Sequence, residues 1–377
     1  MAHIHYHITF IGGQPDPVVQ GVLLSKPDCI LFMYSTETED SLKSIKKRIS
    51  DKIGRELPSR DFLCTTYEYY EINEKCNEML NIIKSEHKIS INLSGGAKPW
   101  NEIMLKLYME NRQKENNQDS IYFIHQNGNV LPIIGNVERP FVDFDFEYVI
   151  NQFKSKTPFT EYSENEKEMA HFIHKYYDTT LSIAIKDFIS SCCDGEYKKF
   201  DKKSSCRYGI ISWSAQTQSF KIKIGNDTHT LSGEFAPSFL LNTGWFEYIV
   251  ANQMAEIYGA NNVWCNCEII FSGNKKINEV DVIVNAGNKP IFVECKTQIK
   301  NSTDLDKFRT VCEAYGGLSA KRLFITRQTM GEDIKTKCKS FNIYTYITCT
   351  KENKKFIDKS VNELKQHIDS FINTSNT

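Results

Sequence analysis

Apolar residues in the first 150 positions form short runs separated by longer amphipathic stretches. The short runs are rich in β-branched and aromatic residues and predict buried strands at residues 4–11, 28–34, 61–67 and 88–93. The stretches between them have helical periodicity and predict helices at residues 16–25, 38–54, 71–86 and 101–111. Regular strand–helix alternation favours a parallel sheet with helices on both faces, so we expect an α/β, Rossmann-like domain over residues 1–150.

The pattern changes after residue 150. Polar residues 151–165 predict a linker, and the stretch after it predicts helices at 164–178 and 180–193 and strands at 207–213 and 218–224. Two helices and a β-ribbon fit a bracing module or a winged-helix-like insert, and we favour the bracing module. Residues 226–377 resume a mixed pattern, with helices predicted at 303–316, 332–340 and 358–373 and strands at 322–326 and 343–349. We therefore divide the chain into domains 1–150, 151–225 and 226–377.

The clearest alternating pattern lies in two β-branched segments, residues 278–284 and 291–296, joined by a turn sequence rich in Asn and Gly. These features predict a hairpin. If Val284 pairs with Ile291, Asp281 faces Glu294 on the neighbouring strand, and Lys296 lies on the same face. A one-residue shift would put the two carboxylates on opposite faces. Adjacent carboxylates repel each other, and a divalent metal ion between them would remove the repulsion.

A predicted helix upstream of the hairpin carries a further carboxylate. Its apolar arc consists of Trp245, Ile249, Val250, Met254 and Ile257. Glu247 lies at the border of that arc, and Thr243 is a candidate for the helix cap. An ordinary surface glutamate near a helix start is an equally good interpretation of Glu247 taken alone.

Glycine-rich turns follow two of the predicted strands in the first domain. Gly12-Gly13-Gln14 follows the first strand, and Ser94-Gly95-Gly96-Ala97-Lys98 follows the fourth. Such turns offer backbone N–H groups and the start of a helix to an anion, although plain strand–helix connections also use them. Neither turn has the GxGxxG spacing of nicotinamide dinucleotide sites.

Composition limits the remaining possibilities. The net charge is −1, so any nucleic-acid binding must depend on local basic clusters, and the sequence has two, at 198–207 and 294–327. The 12 cysteines are scattered without a CxxC pair, which predicts reduced thiols. His3, His5 and His7 alternate along the first strand and are predicted to lie on its surface. The sequence has neither a membrane-spanning apolar run nor a signal-peptide pattern, so we expect a cytoplasmic protein without membrane contact.

The order helix with Glu247, strand with Asp281, strand with Glu294-Cys295-Lys296 resembles the PD-(D/E)XK nuclease core over about residues 230–350. Val280 stands where that family commonly has Pro. The resemblance implies that Asp281 and Glu294 hold Mg²⁺ or Mn²⁺ beside the scissile phosphate. It also implies that Lys296 orients or deprotonates the attacking water and that Glu247 completes the catalytic set.

Together with the glycine turns, this core makes the chain similar to the CARF-domain nucleases of type III CRISPR systems, although Ala97 replaces a common Thr. The resemblance implies a homodimer whose shared cleft binds a cyclic oligoadenylate, usually cyclic tetra-adenylate, and thereby activates the nuclease. The implied substrate is DNA, nicked as a duplex or cut as a single strand, with RNA as a further candidate. The ligand-binding positions carried over are Gln14, Ser35, Thr36, Ser94, Gly95, Gly96 and Lys98.

Two other functions fit the same organisation. One is a ligand-gated nucleic-acid-binding regulator with an inert nuclease-like domain, and the other is an unswitched restriction or repair nuclease with a dimerising first domain. The presence of Asp281, Glu294 and Lys296 argues against an inert domain.

Overall fold

A computed structural model describes residues 3–112, 118–125, 128–139, 142, 145–191, 201–207, 209–233, 235–269, 278–287, 289–299, 302–316, 320–352 and 355–372. The chain forms two compact units, Met1–Asp145 and Phe146–Thr377. The second unit therefore includes both the predicted insert and the predicted nuclease domain. Within the described residues, no helix is both long and apolar enough to span a membrane.

The first unit is a doubly wound sheet. Its strands are β1 His5–Phe10, β2 Cys29–Tyr34, β3 Ser59–Leu63, β4 Lys88–Asn92, β5 Ser120–Ile124 and β6 Val130–Ile134. Its helices are α1 Asp16–Ser25, α2 Glu39–Ile53, α3 Tyr69–Asn81 and α4 Lys98–Asn111. The strand order is β3-β2-β1-β4-β5-β6, parallel except for β6, as predicted for a Rossmann-like domain.

Both faces of this sheet are covered, which corrects the prediction of surface histidines for His7 and in part for His5, whereas His3 is exposed as predicted. His7 is 0% exposed, and its Nδ1 lies 2.8 Å from the Ser90 hydroxyl, which also lies 3.0 Å from Nε2 of His5. Burial lowers the pKa of His7 to about 3 and that of His5 to about 4, so both rings are neutral at pH 7. Alternation along a strand identifies a solvent face only when one face of the sheet is open.

A buried ion pair between Asp119 and Arg112 links the starts of β4 and β5 to the carboxyl end of α4. The Asp119 carboxylate accepts from Ile89 N at 2.7 Å, the Tyr108 hydroxyl at 3.0 Å and Arg112 Nε at 3.2 Å. We expect Asp119→Ala to cost about 3–5 kcal/mol of unfolding free energy, because it leaves a buried guanidinium without its counter-ion. Denaturant unfolding measures this cost. Asp40→Ala, at a carboxylate whose side chain is 99% exposed, should cost about 0.5 kcal/mol or less. Equal costs would contradict the prediction.

The second unit holds a larger set of elements. Its helices are α5 Phe146–Asn151, α6 Glu164–Tyr176, α7 Ser182–Ser190, α8 Ala236–Leu241, α9 Gly244–Tyr258, α10 Thr303–Gly316, α11 Glu332–Ser340 and α12 Val361–Ile372. Its strands are β7 Ser155–Pro158, β8 Lys202–Cys206, β9 Gly209–Ser214, β10 Ser219–Ile224, β11 Asp227–Ser232, β12 Val263–Ile269, β13 Asn278–Asn285, β14 Pro290–Lys296, β15 Lys321–Thr326, β16 Ile343–Ile347, β17 Cys349–Glu352 and β18 Lys355–Asp358. A π-helical turn, Tyr177–Leu181, joins α6 to α7.

Three sheets organise these strands. The main sheet has the order β16-β15-β14-β13-β12-β7, the second sheet has the order β11-β10-β9-β8, and β17 and β18 form a hairpin. The structure corrects two predictions here. Residues 155–158 of the predicted linker form β7, which pairs with β12 at the edge of the main sheet. The predicted β-ribbon is a four-stranded antiparallel sheet, because the polar strands β8 and β11 flank β9 and β10.

Candidate functional site

The hairpin β13–β14 has the register that its sequence predicts. Val284 pairs with Ile291, and Val282 pairs with Val293. The turn is closed by Ala286 N, which donates to Lys289 O at 3.1 Å, and by Gly287 at φ +86°, where a side chain would be strained. Both strands lie inside the main sheet, so this register fixes the positions of the polar side chains they carry.

Three charged side chains meet where β13 begins and β14 ends. Lys296 Nζ lies 2.7 Å from Glu294 Oε1 and 3.7 Å from Asp281 Oδ2. Cys295 N donates to Asp281 Oδ2 at 2.7 Å, which fixes the carboxylate against the neighbouring strand. Asp281 is 7% exposed and Glu294 is 9% exposed, so both carboxylates are largely removed from water.

Helix α9 adds Glu247 to this group. Glu247 lies in its first turn, and burial together with the charge of Asp281 raises its pKa. The helix is held by Trp245, Val250 and Met254, which are fully buried. Thr243 stands at the N-cap position, but it has φ +69° and makes no side-chain cap hydrogen bond, so the capping prediction is wrong. The helix start is positioned by packing instead.

Burial and mutual repulsion dominate the electrostatics of the site. Burial and the charge of Asp281 raise the pKa of Glu294 to about 8. Burial also raises the pKa of Asp281, against the opposing effects of Lys296 and the Cys295 N–H group. Burial by itself lowers the pKa of Lys296, but Asp281 and Glu294 more than reverse that effect and keep it protonated. Three carboxyl groups against one ammonium group are the charge balance that a divalent cation would complete.

The side chains alone do not form a closed metal cage. Among the described residues, no group of three or more His, Cys, Asp or Glu side chains is arranged to hold an ion. Mg²⁺ is commonly held by one or two carboxylates, with water and substrate phosphate completing its shell. Asp281 and Glu294 fit that kind of site.

The raised pKa of Glu294 has a testable effect on stability without metal. The folded protein keeps this proton up to about pH 8, whereas the unfolded chain releases it near its ordinary value of 4.5. Stability should therefore fall as pH rises between these values, and Glu294→Gln should abolish that loss. In EDTA, we expect the variant to exceed wild type at pH 8.5 by a few kcal/mol, on the order of 1.4 per pKa unit, but not at pH 4.

Urea unfolding at the two pH values measures this difference. Glu332→Gln is the matched control, because the Glu332 side chain is 84% exposed. A stability difference between wild type and Glu294→Gln that does not change with pH would contradict the expectation.

Sequence reasoning missed the residue that braces the end of β15 beside Lys296. Arg327 N donates to Lys296 O at 3.3 Å. The Arg327 guanidinium donates through Nε to Asp178 Oδ2 at 2.6 Å, and its Nη1 lies 3.0 Å from Asp358 Oδ1. Asp178 belongs to the π-helical turn and lies 149 positions before Arg327 in the sequence. Nothing in the local sequence around either residue predicts this contact, which becomes visible only in the folded chain.

A second group of predicted site residues lies in the first unit, at the carboxyl edge of its parallel sheet. The two glycine turns touch there: a Cβ atom on Gly12 would lie 2.7 Å from Gly96 N. A Cβ atom on Gly95 would lie 2.2 Å from Phe10 O, and Gly96 has φ +74°. Only glycine fits these positions, and the backbone of both turns is brought to one place.

Helix α4 begins at this point with no acidic residue in its first turn and no side-chain cap. Lys98 is its first residue and is exposed. Trp100 Nε1 donates to Thr65 O at 2.7 Å, and Asn101 Nδ2 donates to Gly95 O at 3.0 Å, which fix the turn on the helix. An uncapped helix start with an exposed lysine attracts anions.

The other predicted ligand residues differ in availability. Gln14 is partly exposed and Thr36 is exposed, whereas Ser35 is buried, with its N–H donating to Thr38 Oγ1 at 3.0 Å. The Ser94 hydroxyl donates to Asn92 Oδ1 and accepts from Ile124 N at 2.6 Å. Ser94, one of the ligand-binding positions that the resemblance implies, therefore uses its hydroxyl to shape the turn.

Asn92 is the residue that sequence reasoning missed here. It is fully buried at the end of β4, and its Nδ2 donates to Pro17 O at 2.8 Å. It thereby ties α1 to the Gly95-Gly96 turn through Ser94. In the sequence, the only sign of this role was that Asn92 is a polar residue close to the end of a predicted strand.

Comparisons with known proteins find a family match in the second unit and similar folds over nearly the whole chain. Residues 236–367 match the family of Card1-like endonuclease domains, and this match includes Glu247, Asp281, Glu294 and Lys296. Can2 from Sulfobacillus thermosulfidooxidans, solved in complex with cyclic tetra-adenylate, has a similar structure, with a TM-score of 0.65 and 17% sequence identity. The match covers 98% of this chain and 100% of the Can2 chain. Protein VC1899 from Vibrio cholerae is also similar, with a TM-score of 0.67 and 14% sequence identity, and the match covers 98% of this chain and 97% of the VC1899 chain.

No curated protein sequence matches the chain significantly. At these identities the similar structures establish the fold. The predicted α/β fold is confirmed, because the chain shares the Can2 fold over nearly its whole length. The predicted resemblance to these nucleases is confirmed at the level of that fold and of residues 236–367, which match the Card1-like endonuclease domain.

Proposed function

We propose that this chain, which carries a Card1-like endonuclease domain, is a divalent-metal-dependent endonuclease that a cyclic oligoadenylate activates in type III CRISPR defence. The observation that carries this proposal is the position of Lys296, 2.7 Å from Glu294 and 3.7 Å from Asp281 at one end of the hairpin. That arrangement provides carboxylates for a cation and an ammonium group for a phosphate at the same point.

The residues divide the chemistry between them. Asp281 and Glu294 would hold Mg²⁺ or Mn²⁺, which, when bound, would activate water and stabilise charge on the phosphate. Lys296, kept protonated chiefly by the charge of Asp281, would orient the attacking water and stabilise the negative charge that develops on phosphate oxygens. Glu247 interacts electrostatically with Asp281 and Lys296 and would complete the catalytic set by adjusting their charge.

The sensing site of the proposal lies at the Gly95-Gly96 turn. Backbone N–H groups at the start of α4 and the Lys98 ammonium group would bind phosphates of the ring, and cyclic tetra-adenylate is the ligand with which Can2 was solved. Gln14, Ser35 and Thr36 complete the proposed contacts, with Ser94 shaping the turn.

The proposed assembly is a homodimer in the cytoplasm, with residues 1–150 as sensor, 151–225 as insert and 226–377 as nuclease. The proposed substrate is DNA, nicked in duplexes and cut in single strands, with single-stranded RNA as a further candidate.

One experiment separates this proposal from its alternatives. Purified protein is incubated with Mn²⁺ and supercoiled plasmid, with and without cyclic tetra-adenylate, and in EDTA. We expect nicking only when ligand and metal are both present. Cleavage without ligand would indicate an unswitched nuclease. Ligand-dependent DNA binding without cleavage would indicate a regulator with an inert nuclease domain.

A further inference from the structure

The sheet β8–β11 has an outward face made almost entirely of lysines and hydroxyl side chains. Its cross-strand pairs align two neighbouring rows, Lys203, Ser212, Lys221, Thr230 and Ser205, Ile210, Lys223, Thr228. Because residues two apart on a strand share a face, both rows point the same way. The lysines of both rows are exposed.

The opposite face of this sheet is part of the core of the second unit. Ile211, Phe220, Ile222 and Leu231 are buried in the cluster that also contains Trp245 of the catalytic helix and Val293 and Cys295 of β14. The sheet that carries the basic face therefore packs in the same hydrophobic core as β14, the strand that carries Glu294 and Lys296.

A groove of about 480 Å³ runs over the basic face. Its lining includes Lys203, Lys221, Ser212, Ser219, Thr217 and Thr230. It also includes one carboxylate, Asp201, which accepts from Ala215 N at 2.8 Å. At the far end of the sheet, Asp227 accepts from the Tyr176 hydroxyl and lies 3.8 Å from Lys175 Nζ. Within the part of the chain that the structure describes, Lys203, Lys221 and Lys223 have no carboxylate within ion-pair distance.

This chemistry fits a sugar–phosphate backbone. Lysine and hydroxyl side chains are the groups that contact phosphate oxygens in nucleic-acid complexes. The groove's lining also includes Lys202 and Trp213. Trp213 is 5% exposed and Phe220 is fully buried, so the groove presents too little aromatic surface for bases to stack on. An acidic protein partner fits less well, because protein interfaces have an apolar centre and this face has only Ile210.

We propose that the outward face of β8–β11 binds the backbone of the nucleic acid that the nuclease cuts, independently of base sequence. This inference rests on the proposed function and adds a substrate contact away from the reacting phosphate. It assigns Lys203, Lys221 and Lys223 to substrate affinity, with no part in the chemical step.

The test uses the full chain carrying Glu294→Gln, so that binding is measured without cleavage. Fluorescence anisotropy with labelled single-stranded DNA, duplex DNA and single-stranded RNA of one sequence gives the affinity at several salt concentrations. We expect Lys203→Ala/Lys221→Ala/Lys223→Ala to weaken binding about tenfold or more near 50 mM salt and to reduce the log–log salt slope by about 2. Comparison of the three probes shows which backbone the face prefers.

The matched control is Lys186→Ala/Lys339→Ala/Lys365→Ala, which removes the same charge from exposed positions on α7, α11 and α12. In the cleaving protein, the first triple variant should raise KM with kcat unchanged, and the control should change neither. Equal affinity and salt slope in the two triple variants would overturn the proposal while leaving the nuclease assignment intact. If only the first triple variant loses affinity, but the protein with Glu294 intact never cleaves the plasmid, the proposed binding surface would be upheld and the proposed nuclease function overturned. Binding of an acidic protein in place of all three probes would also overturn the proposal.

Discussion

Glu294→Gln should reduce ligand-activated plasmid cleavage by a factor of about 10² or more, the loss typical of removing one transition-state stabilising group. The amide is nearly isosteric with the carboxylate but cannot bind a hard cation with the same strength, and it weakens the contact that holds Lys296 Nζ at 2.7 Å. Lys296→Ala and Asp281→Ala should have similar effects, and Glu247→Ala a milder one, because Glu247 is not one of the two proposed metal ligands and acts on the site through its charge. Rates of nicking under saturating ligand and Mn²⁺ measure all four.

Two controls make this result specific to the chemical step. Affinity for cyclic tetra-adenylate should not change in Glu294→Gln, since the variant alters only the second unit. Glu332→Gln, at an exposed helix position, should cleave at the wild-type rate. Undiminished cutting by Glu294→Gln would show that the active site lies elsewhere.

Lys98→Glu should lower the affinity for cyclic tetra-adenylate by about 10²-fold or more, because it replaces a phosphate partner by a repelling charge. Lys98 is exposed at the start of α4, so the change should leave the fold intact. Wild type should gain about 2.7 kcal/mol of stability when free ligand is a hundredfold above Kd, and the variant should gain almost none at that concentration. Calorimetric titration and ligand-dependent thermal unfolding measure the two effects.

Lys106→Glu is the matched control for this variant. It makes the same change on the same helix, two turns away from the Gly95-Gly96 turn, at a side chain that is 58% exposed. Its ligand affinity should stay near that of wild type. An equal thermal shift in wild type and Lys98→Glu would mean that the ring binds at another place.

Local pattern predicted the parts of the fold that local forces determine. The helices predicted at 16–25, 303–316 and 332–340 have these bounds in the structure, because amphipathic periodicity ends at clear breaks there. The hairpin register was also predictable. With a short turn and alternating side chains, only one pairing keeps like side chains of the two strands on the same face of the sheet. The proximity of Asp281, Glu294 and Lys296 followed from that register.

Non-local contacts explain what the sequence did not reveal. Strands β8 and β11 are largely polar, and β7 has only four residues, so none has the apolar alternation that identifies a strand by itself. They become strands because a neighbour offers a free edge. The inward position of His7 and the contact between Arg327 and Asp178 likewise depend on which segments the fold brings together.

The short edge strand β7 has a consequence for how the second unit folds. It pairs Pro158 with Trp264 and Thr157 with Cys265, partners separated by more than one hundred residues of chain. During synthesis from the amino terminus, β7 leaves the ribosome long before β12 exists, so the main sheet cannot close until most of the chain has been translated. Contacts of such high sequence separation form slowly and late. The main sheet is therefore completed only after β12 has been synthesised, by which time the whole first unit is already available to fold.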